Sequence, residues 1–166
     1  MNVIVRPNGR AATVDWGRGA RPAAIGRGGI AAKAREGDGI TPLGTLAVRR
    51  LLYRPDRLAP PRTALSAAAI APDDGWCDAP DDPAYNTQIK LPFPAGHEKL
   101  WRDDPLYDLV VVLGFNDAPV VSGRGSAIFL HVAGPGPTEG CIAVTLSDLV
   151  ELVDALAPGD TVTITL

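Results

Sequence analysis

Two short β-branched runs open the chain, N-V-I-V-R and A-T-V-D-W, separated by Pro7, Asn8 and Gly9. Side chains alternate between the two faces of a strand, so this pattern predicts an antiparallel hairpin with one buried face. Further apolar and β-branched segments predict strands over residues 43–52, 107–113, 127–132, 141–144 and 161–166. Only one stretch has helical spacing: Leu146, Leu149, Val150, Leu152, Val153 and Leu156 recur every three or four residues. That spacing predicts a helix from about Ser147 to Leu156, capped by Thr145 or Ser147, stopped by Pro158 and Gly159, and packed beneath the strand of Cys141. From about Arg54 to Pro105 the chain is rich in Pro, Asp and Ala with little periodicity, which predicts long ordered loops of the kind that build a substrate groove over a β scaffold. The fold expected is mostly β, with one C-terminal helix and long loops, in a single domain over residues 1–166.

Composition narrows the function without naming it. A chain of 166 residues is long enough to bury about two-thirds of the surface that its unfolded form exposes. The formal charge of -3, with no dense Lys/Arg cluster, argues against a nucleic-acid partner. No run of about 18 apolar residues is present, so no membrane span is expected.

The chemistry concentrates in F-L-H-V-A-G-P-G-P-T-E-G-C-I-A-V, Phe129 to Val144. This run holds His131 and Cys141, each one of only two of its kind. Imidazole takes a proton from a thiol near neutral pH, and the thiolate is the nucleophile of covalent acyl transfer. His131 falls near the end of a buried strand, and Cys141 follows a loop whose glycines and prolines suit tight turns. Gly140 lets the backbone approach a substrate carbonyl closely.

With its flanks, this run resembles the L,D-transpeptidase catalytic domain family (YkuD-like), in the branch where H-V-A is followed by T-E-G-C. The likeness extends through K-A-R-E-G-D-G-I-T-P-L-G-T (Lys33 to Thr45), D-P-A-Y-N (Asp82 to Asn86), G-H-E-K-L-W (Gly96 to Trp101) and Y-D-L-V-V-V-L-G-F-N-D (Tyr107 to Asp117). The resemblance implies a β-sandwich-like domain that acts on peptidoglycan stem peptides without metal or organic cofactor. Cys141 would attack the carbonyl before the terminal D-alanine and form a thioester, with His131 as general base. The N–H groups of Gly140 and Cys141 would hold the oxyanion, and an amine would accept the acyl group. A carbapenem resembles the acyl donor in this family and would add once to Cys141. Glu139 stands where many relatives carry a second histidine, to orient His131 or to bind an incoming amine. Thr138, Glu139, Asn86, His97, Glu98 and Trp101 are the substrate-binding residues expected, with His97 near the pocket mouth, whereas Lys33, Glu36 and Asp38 are read as settling a strand-to-loop transition.

Other uses of these residues are weaker. Cys77 lies among acids that raise a thiol pKa, which suits a packed side chain rather than a catalyst. Cys77, His97, His131 and Cys141 are scattered singly, unlike the paired spacing of structural zinc ligands. The run G-R-G-G-I-A-A-K lacks the ending of a phosphate-binding loop and reads as a turn. Two functional alternatives keep the same residues: a carboxypeptidase or related hydrolase that uses water as acceptor, and a wall-binding module without an activated thiol. A low thiol pKa at Cys141 is expected of either enzyme but not of the module. The resemblance implies the cell envelope, whereas Met1 to Arg10 lacks the features of an export signal, which leaves a cytoplasmic location open.

Overall fold

The computed structural model describes residues 1–166. The opening runs form β1 (Asn2–Asn8) and β2 (Ala11–Asp15), antiparallel, with Val5 opposite Val14. Val3, Val5, Ala12 and Val14 are buried on one face, as the alternation requires. The reversal falls at Gly9, whose φ of 63° suits a residue without a Cβ. Pro7 lies within β1 rather than in the turn, past the point where β1 pairs with the C-terminal strand. Short strands β3 (Arg21–Ala23), β4 (Ile30–Ala31) and β5 (Thr41–Pro42) lead into the long β6 (Gly44–Tyr53).

The region expected to be loops holds four short strands: β7 (Ala67–Ala69), β8 (Asp74–Cys77), β9 (Gln88–Lys90) and β10 (His97–Lys99). The last three form a separate sheet in the order β10-β8-β9. Its central strand is buried throughout, so D-G-W-C shows no alternation for the sequence to reveal. After β11 (Leu109–Gly114), β12 (Phe129–Val132) and β13 (Ile142–Val144) come helix α1 (Leu146–Ala155) and strand β14 (Thr161–Ile164).

The main sheet runs β13-β12-β11-β6-β14-β1-β2-β3, with β7 beside β6. Its two ends meet: Ala24 and Ala143 exchange backbone hydrogen bonds of 2.8 and 2.9 Å, so the sheet curls back on itself. Inside lies a core of 25 buried residues drawn from nearly every strand of the main sheet and from α1. Thr145 caps the helix by accepting from the Asp148 N–H at 3.2 Å, and the helix ends at Leu156, ahead of Pro158. Ten residues make a helix too short to hold in water alone. Burial of Leu149, Leu152 and Val153 stabilises it, with the helix packed against β11 and against β12, the neighbour of β13. No helix is long and apolar enough to cross a membrane.

Alternation along β12 divides its side chains between two clusters. Leu130 and Val132 face the main core, whereas Phe129 faces a second cluster that includes Trp76, Tyr107, Val110, Val112 and Cys141. His131 shares the Phe129 face by its period of two. A slip of one residue in register would exchange the two sets and turn His131 into the apolar core.

Candidate active site

Cys141 immediately precedes β13, in a turn built from both ends of the chain. The segment at residues 25–27 splints this turn: the Thr138 N–H donates to Ile25 O and the Arg27 N–H to Thr138 O, both at 2.9 Å. Such close approach requires glycine at Gly26, where a Cβ would fall on the Gly39 carbonyl oxygen and 2.9 Å from the Gly140 Cα. Gly140 itself has φ +134°, in the region glycine alone adopts readily. Thr138 ties the turn further, its hydroxyl donating to Cys141 O at 2.6 Å and accepting from the Gly140 N–H at 3.1 Å. This last bond corrects an expectation: the Gly140 N–H is engaged by Thr138 and is not free for an oxyanion. The Cys141 N–H has no partner within the chain.

Cys141 as a whole is 8% exposed. Its thiol donates to Ala127 O at 3.2 Å and accepts from the Phe129 N–H at 3.3 Å. Burial, reinforced by the negative charge of Glu98, pushes its pKa up to about 12, although the Phe129 N–H and the charge of Lys33 pull the other way. The low thiol pKa expected of an enzyme is therefore absent in the resting protein. Alkylation of Cys141 by iodoacetamide is expected to be slower at pH 8 than that of a free thiol. It should then climb about tenfold per pH unit through pH 10, because only the ionised fraction reacts. A plateau near pH 7 would reveal a preformed thiolate and contradict this geometry.

His131 is buried on the adjacent strand, with Ala143 as its register partner. Its Nδ1 lies 2.8 Å from Val132 O. A carbonyl only accepts, so Nδ1 carries the proton and the neutral ring keeps a bare Nε2 able to take another. Burial lowers the imidazole pKa, helped by Arg102 and opposed by the Val132 and Leu106 carbonyls and Asp104. The Tyr107 ring meets the imidazole edge-on at 5.3 Å. Imidazole and thiol are thus both neutral at rest. They face one cavity without a hydrogen bond between them, as is common before a substrate binds.

That cavity, of about 610 Å³, is lined by Cys141, His131, Thr138, Glu139 and Glu98 among the residues the sequence singled out. Lys33, Glu36, Arg102 and Tyr107 also line it. Lys33 and Glu36 were expected only to shape a loop, and nothing in their local sequence shows that the fold carries them to the cysteine. Asp38 does shape that loop, accepting from the backbone N–H groups of Ala34, Arg35 and Ile40. Tyr107 lies two residues before its strand begins and donates to Glu98 Oε2 at 3.0 Å. Burial raises the Glu98 carboxyl to about 7, helped by Asp78 and Glu36 and opposed by the Tyr107 hydroxyl and Arg102. Glu139 does not reach His131. Its carboxylate is 78% exposed and accepts from Arg27 Nε at 2.8 Å.

Three expected substrate contacts lie outside the cavity. His97 sits on β10 opposite Cys77, its Nδ1 against Ala95 O at 2.8 Å and its ring edge-on to Phe93. Trp101 lies under the Arg54 guanidinium, 3.8 Å from the ring centre. Asn86 is buried and fully used: its amide donates to the carbonyls of Phe115 and Asn116, and its Oδ1 accepts from Trp76 Nε1 and the Ala127 N–H. These side chains are polar or aromatic because they join strands and loops to one another. Cys77 is fully buried in β8, its pKa raised by burial and by the charges of Asp82 and Asp78. No three His, Cys, Asp or Glu side chains converge as metal ligands would.

The model of the L,D-transpeptidase catalytic domain (YkuD) matches residues 3–164. No curated protein matches the chain. Among solved structures, Mycobacterium tuberculosis L,D-transpeptidase 1 aligns with 99% of this chain at 12% identity and a TM-score of 0.43, and the chain spans 61% of that protein.

Proposed function

Since this chain belongs to the L,D-transpeptidase catalytic domain family, matched from residue 3 to residue 164, we propose that it is a cysteine acyltransferase of peptidoglycan stem peptides, with residues 1–166 as one catalytic domain. The observation that carries this reading is the pairing, on one cavity, of the Cys141 thiol with a histidine whose Nε2 is left bare by the Val132 carbonyl. On substrate binding the thiol leaves Ala127 O and passes its proton to Nε2. Sulfur attacks the carbonyl between the third and fourth stem residues, and the imidazolium protonates the departing D-alanine nitrogen. His131 then takes a proton from the acceptor amine as it attacks the thioester, the carbon–sulfur bond breaks, and the imidazolium returns the proton to the departing Cys141 thiolate. Neutral partners suit this sequence, since no thiolate is exposed to oxidation before the carbonyl arrives. Thr138 positions the turn of the nucleophile, and Glu98 and Glu139 offer carboxylates to a cationic group of the stem. Neither step calls on a metal or organic cofactor, and the substrate places the enzyme in the cell envelope.

Two other readings keep the same residues. Water in place of the amine makes a carboxypeptidase. A wall-binding module draws on the thiol pushed up to about 12 and its bond to Ala127. Incubation with tetrapeptide-stem muropeptides, read by mass, separates all three. Cross-linked dimers lacking one D-alanine are expected. Tripeptide monomers alone would move the assignment to hydrolysis, and unchanged masses with retained binding would overturn the enzyme.

A further inference from the structure

Lys33 is the cavity's least expected member. Its side chain is only 3% exposed, and Nζ donates to Asp38 Oδ1 at 2.5 Å and to Ile40 O at 3.2 Å. An ammonium carries three N–H groups, so one has no partner in the chain. Leaving a charged donor unmet in a buried position is costly, and such an exception calls for a role. The fold also keeps a lane open for this side chain: at Gly125, with φ +123°, a Cβ would stand 2.5 Å from Lys33 Cε. The lane ends beside the nucleophile, where Nζ stands 3.5 Å from the place a Cβ on Gly140 would take. Both Lys33 and Cys141 face the cavity.

The backbone there lacks something Lys33 can supply. Two adjacent N–H groups are the usual cradle for a tetrahedral oxyanion, but Thr138 occupies that of Gly140, and only the Cys141 N–H remains. We infer that Lys33 is a catalytic residue that completes the oxyanion site, its third N–H and the Cys141 N–H together holding the carbonyl oxygen of the acyl donor. This inference rests on the acyl-transfer reading of the site. As sulfur forms its bond to the carbonyl carbon, the π pair moves onto oxygen and the thiol proton goes to His131. The alkoxide is met by the ammonium rather than by a second amide. When the pair returns, the carbon–nitrogen bond breaks, and the proton on His131 leaves with the amine. Asp38 holds Nζ in place throughout, and the same positive charge favours the thiolate, consistent with the pull of Lys33 on the Cys141 pKa.

The test compares a reaction that forms an oxyanion with one that does not. 4-Nitrophenyl acetate acylates a thiol through a tetrahedral alkoxide, whereas iodoacetamide alkylates it with no charge on a carbonyl oxygen. Lys33→Met is expected to slow acylation of Cys141 about 100-fold, the scale of one oxyanion donor, and to slow alkylation less than about tenfold, both read by mass at one pH. Equal losses in the two reactions, or unchanged acylation, would overturn the role. If the lone Asp38 carboxylate unfolds the single variant, Lys33→Met with Asp38→Asn removes both charges, and the same ratio of rates decides. The ester tests Lys33 whether or not stem peptides are the substrate, so failure of wild-type protein on muropeptides would count against that reading alone.

Discussion

Cys141→Ala is expected to abolish turnover of a stem peptide, with no residual thioester detectable by mass. The sulfur is the atom that bonds to the acyl group, and the other thiol, Cys77, is fully buried and does not line the cavity. His131→Ala is expected to cost about 10²- to 10⁴-fold in kcat, the range of a single positioned general base. Because the thiol is pushed up to about 12, almost none of it ionises unaided at neutral pH, so the upper part of that range applies. Raising the pH should then restore part of the activity of His131→Ala, since hydroxide substitutes for the missing base. Cys77→Ala is the control. It removes one small buried sulfur, should lower stability by about 1 kcal/mol, and should leave kcat unchanged. Loss of activity in a folded Cys77→Ala protein would overturn the assignment of the nucleophile.

Asn86→Ala is expected to cost about 4 kcal/mol of stability. The variant leaves Trp76 Nε1 and the Ala127 N–H without acceptors, at about 1–3 kcal/mol for each buried donor. It also puts alanine at a φ of 58°, where L-residues other than asparagine are strained by about 1–2 kcal/mol. Ala127, itself at φ 53°, carries the carbonyl that accepts from the Cys141 thiol. The loss therefore spreads from the small sheet to the nucleophile. Denaturant unfolding measures the first effect, and the alkylation rate of Cys141 the second. A variant with unchanged stability and a raised KM would instead restore Asn86 as a substrate contact.

Asn86 illustrates what local pattern does not carry. Its neighbours D-P-A-Y-N mark a turn, but its four hydrogen bonds reach residues ten to thirty positions away or more. His97 and Trp101 likewise look like site residues, being polar or aromatic in a Pro-rich stretch, yet one belongs to the small sheet and the other supports Arg54. Glu139 was legible as a residue of the site, and its partner was not, because Arg27 is 112 positions away in sequence.

The amino-acid sequence by itself determined the hairpin, the long strands, the single helix and the short path from His131 to Cys141. Each of these is a local matter: β-branched runs, helical spacing, a Thr cap, or a short loop whose glycines and prolines suit tight turns. Tertiary structure alone decided the closure of the sheet through Ala24 and Ala143, the small sheet around Trp76, and the arrival of Lys33 beside the nucleophile. Those depend on contacts between residues far apart in the chain, where burial changes a thiol, an imidazole and a carboxyl in ways that sequence neighbours do not encode.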